Sequence, residues 1–176
     1  MNARVSFYLS GFCGLLLASC VDQKLTLSRN NTGTSPLRLD GFYYSQYLGD
    51  STSYNIIFLY QDGILFQCGW PSEAEFANLE EYFASEIPFR KKEKTSWGLY
   101  EIQGNSIVLE GWNTSVGGGL PRFRMEGYIP NDTTIILTRY TSYENRKPKS
   151  RAIESGRLQF HAYSPKPDSA NNFIPN

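Results

Sequence analysis

Between Leu39 and Tyr163 apolar and polar residues alternate with a period of two, and turn signals break the alternation about every ten residues. That combination confines the chain to antiparallel β-structure. The spacing predicts strands over Leu39–Leu48, Ser53–Tyr60, Gly63–Cys68, Thr95–Gln103, Ser106–Trp112, Arg122–Ile129, Thr133–Thr141 and Arg157–Tyr163. Three connections are tight: Gln61-Asp62-Gly63, Gly104-Asn105 and Pro130-Asn131-Asp132. Asp-Gly and Gly-Asn supply the positive φ that hairpin turns require, and short hairpins force antiparallel neighbours. A meander of this kind removes its exposed edges by closing. The expected class is all-β with one inserted helix, an antiparallel up-and-down barrel of about eight strands. An open sandwich of the same strands is the alternative.

The inserted helix is expected over Ser72–Glu86. Ser72 and Glu75 form a capping box after Pro71. Phe76, Leu79, Phe83 and Ile87 then recur at helical spacing and make an apolar stripe for the barrel, and Pro88 is expected to end the helix. The Arg90-Lys91-Lys92-Glu93-Lys94 run beyond it reads as a solvated connection.

Aromatic residues are 15% of the chain, and each buried large apolar side chain contributes roughly 1.5–3 kcal/mol. Alternation predicts which of them face inward. In Arg122-Phe123-Arg124-Met125-Glu126-Gly127 the charges point out, so Phe123, Met125 and Gly127 point in. The same logic turns Leu39, Gly41, Tyr43, Ile56, Phe58, Tyr60, Tyr100, Ile102, Ile107, Leu109, Ile136, Thr138, Tyr140, Leu158 and Phe160 inward, with Phe66 among the large core residues. No Asp, Glu, Lys, Arg or His belongs to this set, so the interior offers no acid–base pair. The candidate interior is accordingly Tyr43, Phe58, Phe66, Tyr100, Phe123, Met125 and Phe160. A filled core and a barrel holding one small molecule both remain open, since eight strands are just wide enough for either.

The N-terminus carries a different kind of signal. Arg4 precedes an apolar stretch from Val5 to Leu17, followed by Leu17-Ala18-Ser19-Cys20. A charged start, a short apolar run and small residues before a cut describe a secretory signal. Leu17-Ala18-Ser19-Cys20 resembles the lipobox of bacterial lipoproteins. The resemblance implies cleavage before Cys20, acylation of its thiol, and, with Val21 rather than Asp following it, the outer membrane of a Gram-negative cell envelope. The expected organisation is a signal peptide over 1–19, a lipid-anchored flexible tether over 20–37, the barrel over 38–165 and a polar C-terminal tail over 166–176. Strings such as Trp97-Gly98-Leu99-Tyr100-Glu101-Ile102 also resemble small uncharacterised lipoproteins of that envelope.

A secreted eight-stranded meander opening on Gly41-Phe42-Tyr43 is similar to the lipocalin-like (calycin) barrels, with Tyr43 where that family carries Trp. The resemblance implies a non-enzymatic binding or structural module, with a small apolar molecule as its expected ligand. The alternative is an envelope-assembly or glycan-binding lipoprotein acting through its outer surface, and an envelope hydrolase stands third.

Other residues narrow the partners. With Arg4 removed, 16 basic residues face 17 acidic ones, a balance that lacks the surplus nucleic acid requires. Cys13 leaves with the signal and Cys20 takes the lipid, so Cys68 stands alone in an apolar run as a structural thiol. His161, the single histidine, has no Cys or His cluster around it and builds no metal site. Gly117-Gly118-Gly119 lacks the Lys-Ser/Thr of a phosphate loop. No cofactor is expected. Trp70, Trp97 and Trp112 read first as packing residues, with a sugar-stacking surface the alternative, and Arg146–Arg151 reads as a solvated loop, with contact to anionic headgroups the alternative.

Overall fold

The computed structural model describes residues 22–29, 35–47, 50–115, 118–144 and 147–175. The signal segment, Cys20, Gly117 and Arg146 lie outside them. Eight strands close into one antiparallel barrel in chain order. They are β1 (Gly41–Tyr47), β2 (Asp50–Leu59), β3 (Ile64–Gln67), β4 (Trp97–Gln103), β5 (Ser106–Trp112), β6 (Arg122–Asn131), β7 (Thr134–Ser142) and β8 (Lys149–Ala162). Closure is made by β8 against β1, with Phe160 opposite Tyr43. Gly63 and Gly104 take φ of 81° and 59° in two of the hairpin turns, the conformation those turns need.

One strand is longer than its sequence signal. Lys149 pairs with Ser142 and Ala152 with Arg139, across an irregularity between Leu137 and Arg139. The basic run expected as a loop is therefore partly the start of β8. Main-chain pairing is indifferent to the side chains, and these residues are mostly exposed.

The helical insertion is two helices, α1 (Glu73–Phe76) and α2 (Leu79–Arg90). The capping box is present: Ser72 Oγ accepts from the Glu75 N–H, and the Glu75 carboxylate accepts from the Ser72 N–H at 2.8 Å. Asn78, at φ −127° and ψ 61°, breaks the single helix that was expected. Pro88 lies inside α2 rather than ending it. It falls in the last turn, so its missing N–H deprives only the Ala84 carbonyl of a bond.

The core is double. The inner cluster draws on all eight strands: Tyr43, Ile57, Leu59, Leu65, Tyr100, Ile107, Leu109, Ile129, Ile135, Leu137 and Leu158 are buried together. The outer cluster draws only on β1 to β5 and joins Phe42, Ile56, Phe58, Phe66 and Trp97 to Tyr82 and Phe83 of α2. Phe83 is its wedge, with ring centres 5.6 Å from Phe42 and 4.8 Å from Tyr163.

Two described segments, 22–29 within the expected tether and 166–175 within the expected tail, pack onto this outer layer. Leu25, Leu27 and Phe173 lean on the outer cluster and Ile174 is buried within it. Asp22 to Arg29 runs along the barrel as a strap. Gln23 donates to the Leu120 and Tyr143 carbonyls and receives the Trp112 indole N–H. Arg29 reaches Asp62 at 2.5 Å.

Candidate functional site

Up-and-down connectivity gives the barrel two unlike ends. The β2–β3, β4–β5 and β6–β7 hairpins gather at one end. It is closed: Leu37 is buried in the inner cluster, and the Tyr43 hydroxyl donates to the Asp132 carbonyl at 2.9 Å. Burial is the largest reason the Tyr43 hydroxyl is held well above its ordinary pKa. The Tyr100 hydroxyl donates to the Tyr60 carbonyl at 2.7 Å. Lys166 adds a lid there, its Nζ donating to the carbonyls of Leu39 and Leu59.

The opposite end, where the β1–β2, β3–α1, β5–β6 and β7–β8 connections lie, is open. A cavity of about 630 Å³ enters the barrel there, within the size range of small-molecule sites. Its apolar wall is Phe123, Met125, Leu137, Ile153 and Leu158; Asn55, Gln67, Asn113, Tyr140, Arg90 and Arg151 supply polar groups. Sequence spacing explains part of the hollow. Gly111 stands opposite Phe123, and a Cβ on it would meet the Phe123 ring at 2.8 Å, so the missing side chain is where that ring lies. Tyr140 stacks on Phe123 at 6.0 Å and its hydroxyl accepts from Asn113 at 2.6 Å.

The candidate interior residues fall into three groups. Tyr43 and Tyr100 are buried in the inner cluster and Phe160 packs against it. Phe123 and Met125 line the cavity. Phe58 and Phe66 belong to the outer cluster, as do Ile56 and Tyr60. Their expected inward placement is corrected by register, since Tyr43 is opposite Ile57 and Phe58 is opposite Phe66. The run Ile56-Ile57-Phe58-Leu59 is apolar on both faces because α2, the strap and the tail cover the outside. Likewise Ile135 and Leu137, not Ile136 and Thr138, join the inner cluster, and the bulge after Leu137 returns Tyr140 to the same side.

Arg151 adds a charge at the cavity's mouth, where it is exposed rather than part of the inner cluster. It pairs with Tyr140 across β7–β8 and lines the cavity, its guanidinium 5.1 Å from the Tyr140 ring centre. Arg90, at the end of α2, reaches the same mouth while holding Glu86 at 2.9 Å. Sequence reasoning missed both because each sits in a basic run that reads as solvated loop.

The remaining candidates are placed apart from the cavity or at its rim. Trp97 is fully buried and its indole donates to the Lys91 carbonyl, while Trp112, nearly buried, and Trp70, exposed, both line the cavity. His161 is exposed and stacks on Phe42 at 5.0 Å. Cys68 is buried, which pushes its thiol up to about 12 and leaves it unreactive. Among the described residues no three His, Cys, Asp or Glu gather as metal ligands.

The eight-strand antiparallel barrel is consistent with a lipocalin-like fold. No family model, no curated protein and no solved structure matches the chain.

Proposed function

We propose that the protein is a non-enzymatic binding module, anchored in the cell envelope through acylated Cys20, whose barrel holds one small molecule with an apolar body. The observation that carries this reading is the cavity at the open end, walled by Phe123, Met125, Leu137 and Leu158. Its described lining contains no Asp, Glu, Lys, His or Cys. Its two guanidiniums carry N–H donors and no acceptor, so they serve as donors and not as a base. That composition suits binding better than proton transfer.

Anchoring is supported by Leu17-Ala18-Ser19-Cys20 and by where the strap starts. Asp22 is held by Lys94 at 2.9 Å, and Gln23 by Leu120 and Tyr143, all at the open end. Cys20 precedes Asp22 by two residues, at most about 7 Å of extended chain. An acyl group on Cys20 therefore brings the mouth of the cavity to the membrane surface, in the outer membrane by the lipobox resemblance.

Two measurements test the reading. Intact mass of the membrane-extracted protein is expected to lack Met1–Ser19 and carry acyl chains; an unmodified product cut elsewhere removes the anchor. Titration with an uncharged, environment-sensitive apolar dye is expected to saturate at one per chain and to fail with Phe123→Trp. Dye uptake unaffected by that substitution removes the cavity from the account.

A further inference from the structure

We infer that the cavity's ligand is an anionic single-chain amphiphile, held with its chain inward and its acidic head at the mouth against Arg151. The inference rests on the cavity reading above and specifies its ligand class.

Three observations carry it. The wall is apolar and continuous with the inner cluster through Leu137 and Leu158, which suits a hydrocarbon chain. Two guanidiniums line the mouth, and no acidic residue among those described lines it with them. Arg90 is engaged by Glu86, whereas Arg151 forms no ion pair with any described residue and is seen only against the Tyr140 ring. The partly buried Arg122 and Arg124 are paired with Glu110 and Arg29 with Asp62, whereas Arg151 is exposed at the rim.

Charge decides between ligand classes. A neutral apolar molecule filling the mouth covers the Arg151 guanidinium and returns nothing for its lost water. A cationic head is repelled by both arginines. A carboxylate or phosphate head accepts two parallel N–H bonds from the guanidinium fork and remains partly hydrated at the exposed rim. Gln67 and Asn113 stand at the same mouth as further donors.

The test compares laurate, dodecanol and dodecylamine below their aggregation limits, by calorimetric titration into the mature full-length protein. Laurate is expected to bind at least about tenfold more tightly than dodecanol, and the protonated amine more weakly than either. Arg151→Gln is expected to weaken laurate about tenfold and leave dodecanol within about twofold, with Arg151→Lys, which keeps the charge but not the two-bond fork, retaining only part of the laurate preference. Arg90→Gln serves as the second variant and is expected to cost laurate less, since Glu86 already holds that side chain. Equal binding of laurate and dodecanol, or a laurate preference untouched by Arg151→Gln, overturns the anionic class while the cavity stands. Binding of none of the three overturns the cavity reading and this inference together.

Discussion

The carboxylate of Glu110 accepts the main-chain N–H of Thr26 at 2.7 Å, across 84 residues of sequence. The contact is the centre of the strap's attachment. Glu110 is fully buried on the outer face of β5, where it also accepts the Leu27 N–H at 3.0 Å, the Thr26 hydroxyl and the Arg122 guanidinium. The strap's own backbone donors are satisfied there, so the carboxylate substitutes for the neighbouring strand that this segment lacks.

Removing that carboxylate is expected to free the strap. Glu110→Ala leaves the Thr26 and Leu27 N–H groups without their acceptor and Arg122 without its carboxylate, and breaking a buried pair in this way costs about 3 kcal/mol or more. Amide hydrogen exchange is expected to show Gln23 to Leu27 losing protection while β7 and β8 keep theirs. Retained protection in the strap contradicts this.

Acid is expected to have the same effect. Burial by itself raises the Glu110 pKa, but the hydrogen bonds from Thr26 and Leu27, with Arg122, outweigh it and hold the carboxyl below its ordinary value. A lowered carboxyl contributes stability that is complete above its unfolded pKa and is lost as pH falls through the folded one. Strap protection is therefore expected to be flat from pH 7 to about 5 and to decline in the acid range below the ordinary carboxylate pKa. The Glu110→Gln protein is expected to show a smaller acid-dependent loss over that range.

Lys166 gives the opposite window. Burial pushes its ammonium down to about 8 while it bonds two carbonyls at the closed end. Below the folded pKa the barrel carries a desolvated charge. Between that value and the unfolded one, the unfolded chain binds more protons and stability rises with pH. Comparison of wild type with Lys166→Met by thermal unfolding is expected to show wild type gaining relative to the variant from pH 8 to about 10. A constant difference across that interval contradicts a buried amine.

The close approach of Phe123 to Gly111 makes the cavity wall sensitive to one methyl group. Gly111→Ala puts a Cβ 2.8 Å from the Phe123 ring and drives it from its place. Overpacking of this kind costs about 1–3 kcal/mol, and ligand uptake is expected to fall with it, as a titration would show. A fully stable Gly111→Ala protein with unchanged uptake would place the cavity elsewhere.

Much of this architecture was legible in the residues. Strand spacing, the Asp62-Gly63 and Gly104-Asn105 turns and the Ser72–Glu75 cap are local signals, and local physics sets them. The faces of Phe58 and Phe66 were not legible, because Ile56 to Leu59 is apolar on both sides and alternation there has no sign. The strap was hidden for another reason: Val21 to Leu37 is polar in composition, and its attachment depends on Glu110, far along the chain. Of the site, Phe123 and Met125 were visible from the charges that flank them in β6. Arg151 was not, since a charge run reads alike in a loop and at the mouth of a barrel.

Native mass spectrometry of the protein released from its own membrane tests the central claim most directly. The account expects each chain, beyond its acyl chains, to carry one small molecule that organic extraction recovers, and expects Phe123→Trp to leave a folded protein without it. A wild-type chain that emerges with an empty barrel, or a bound molecule that persists in Phe123→Trp, contradicts the account.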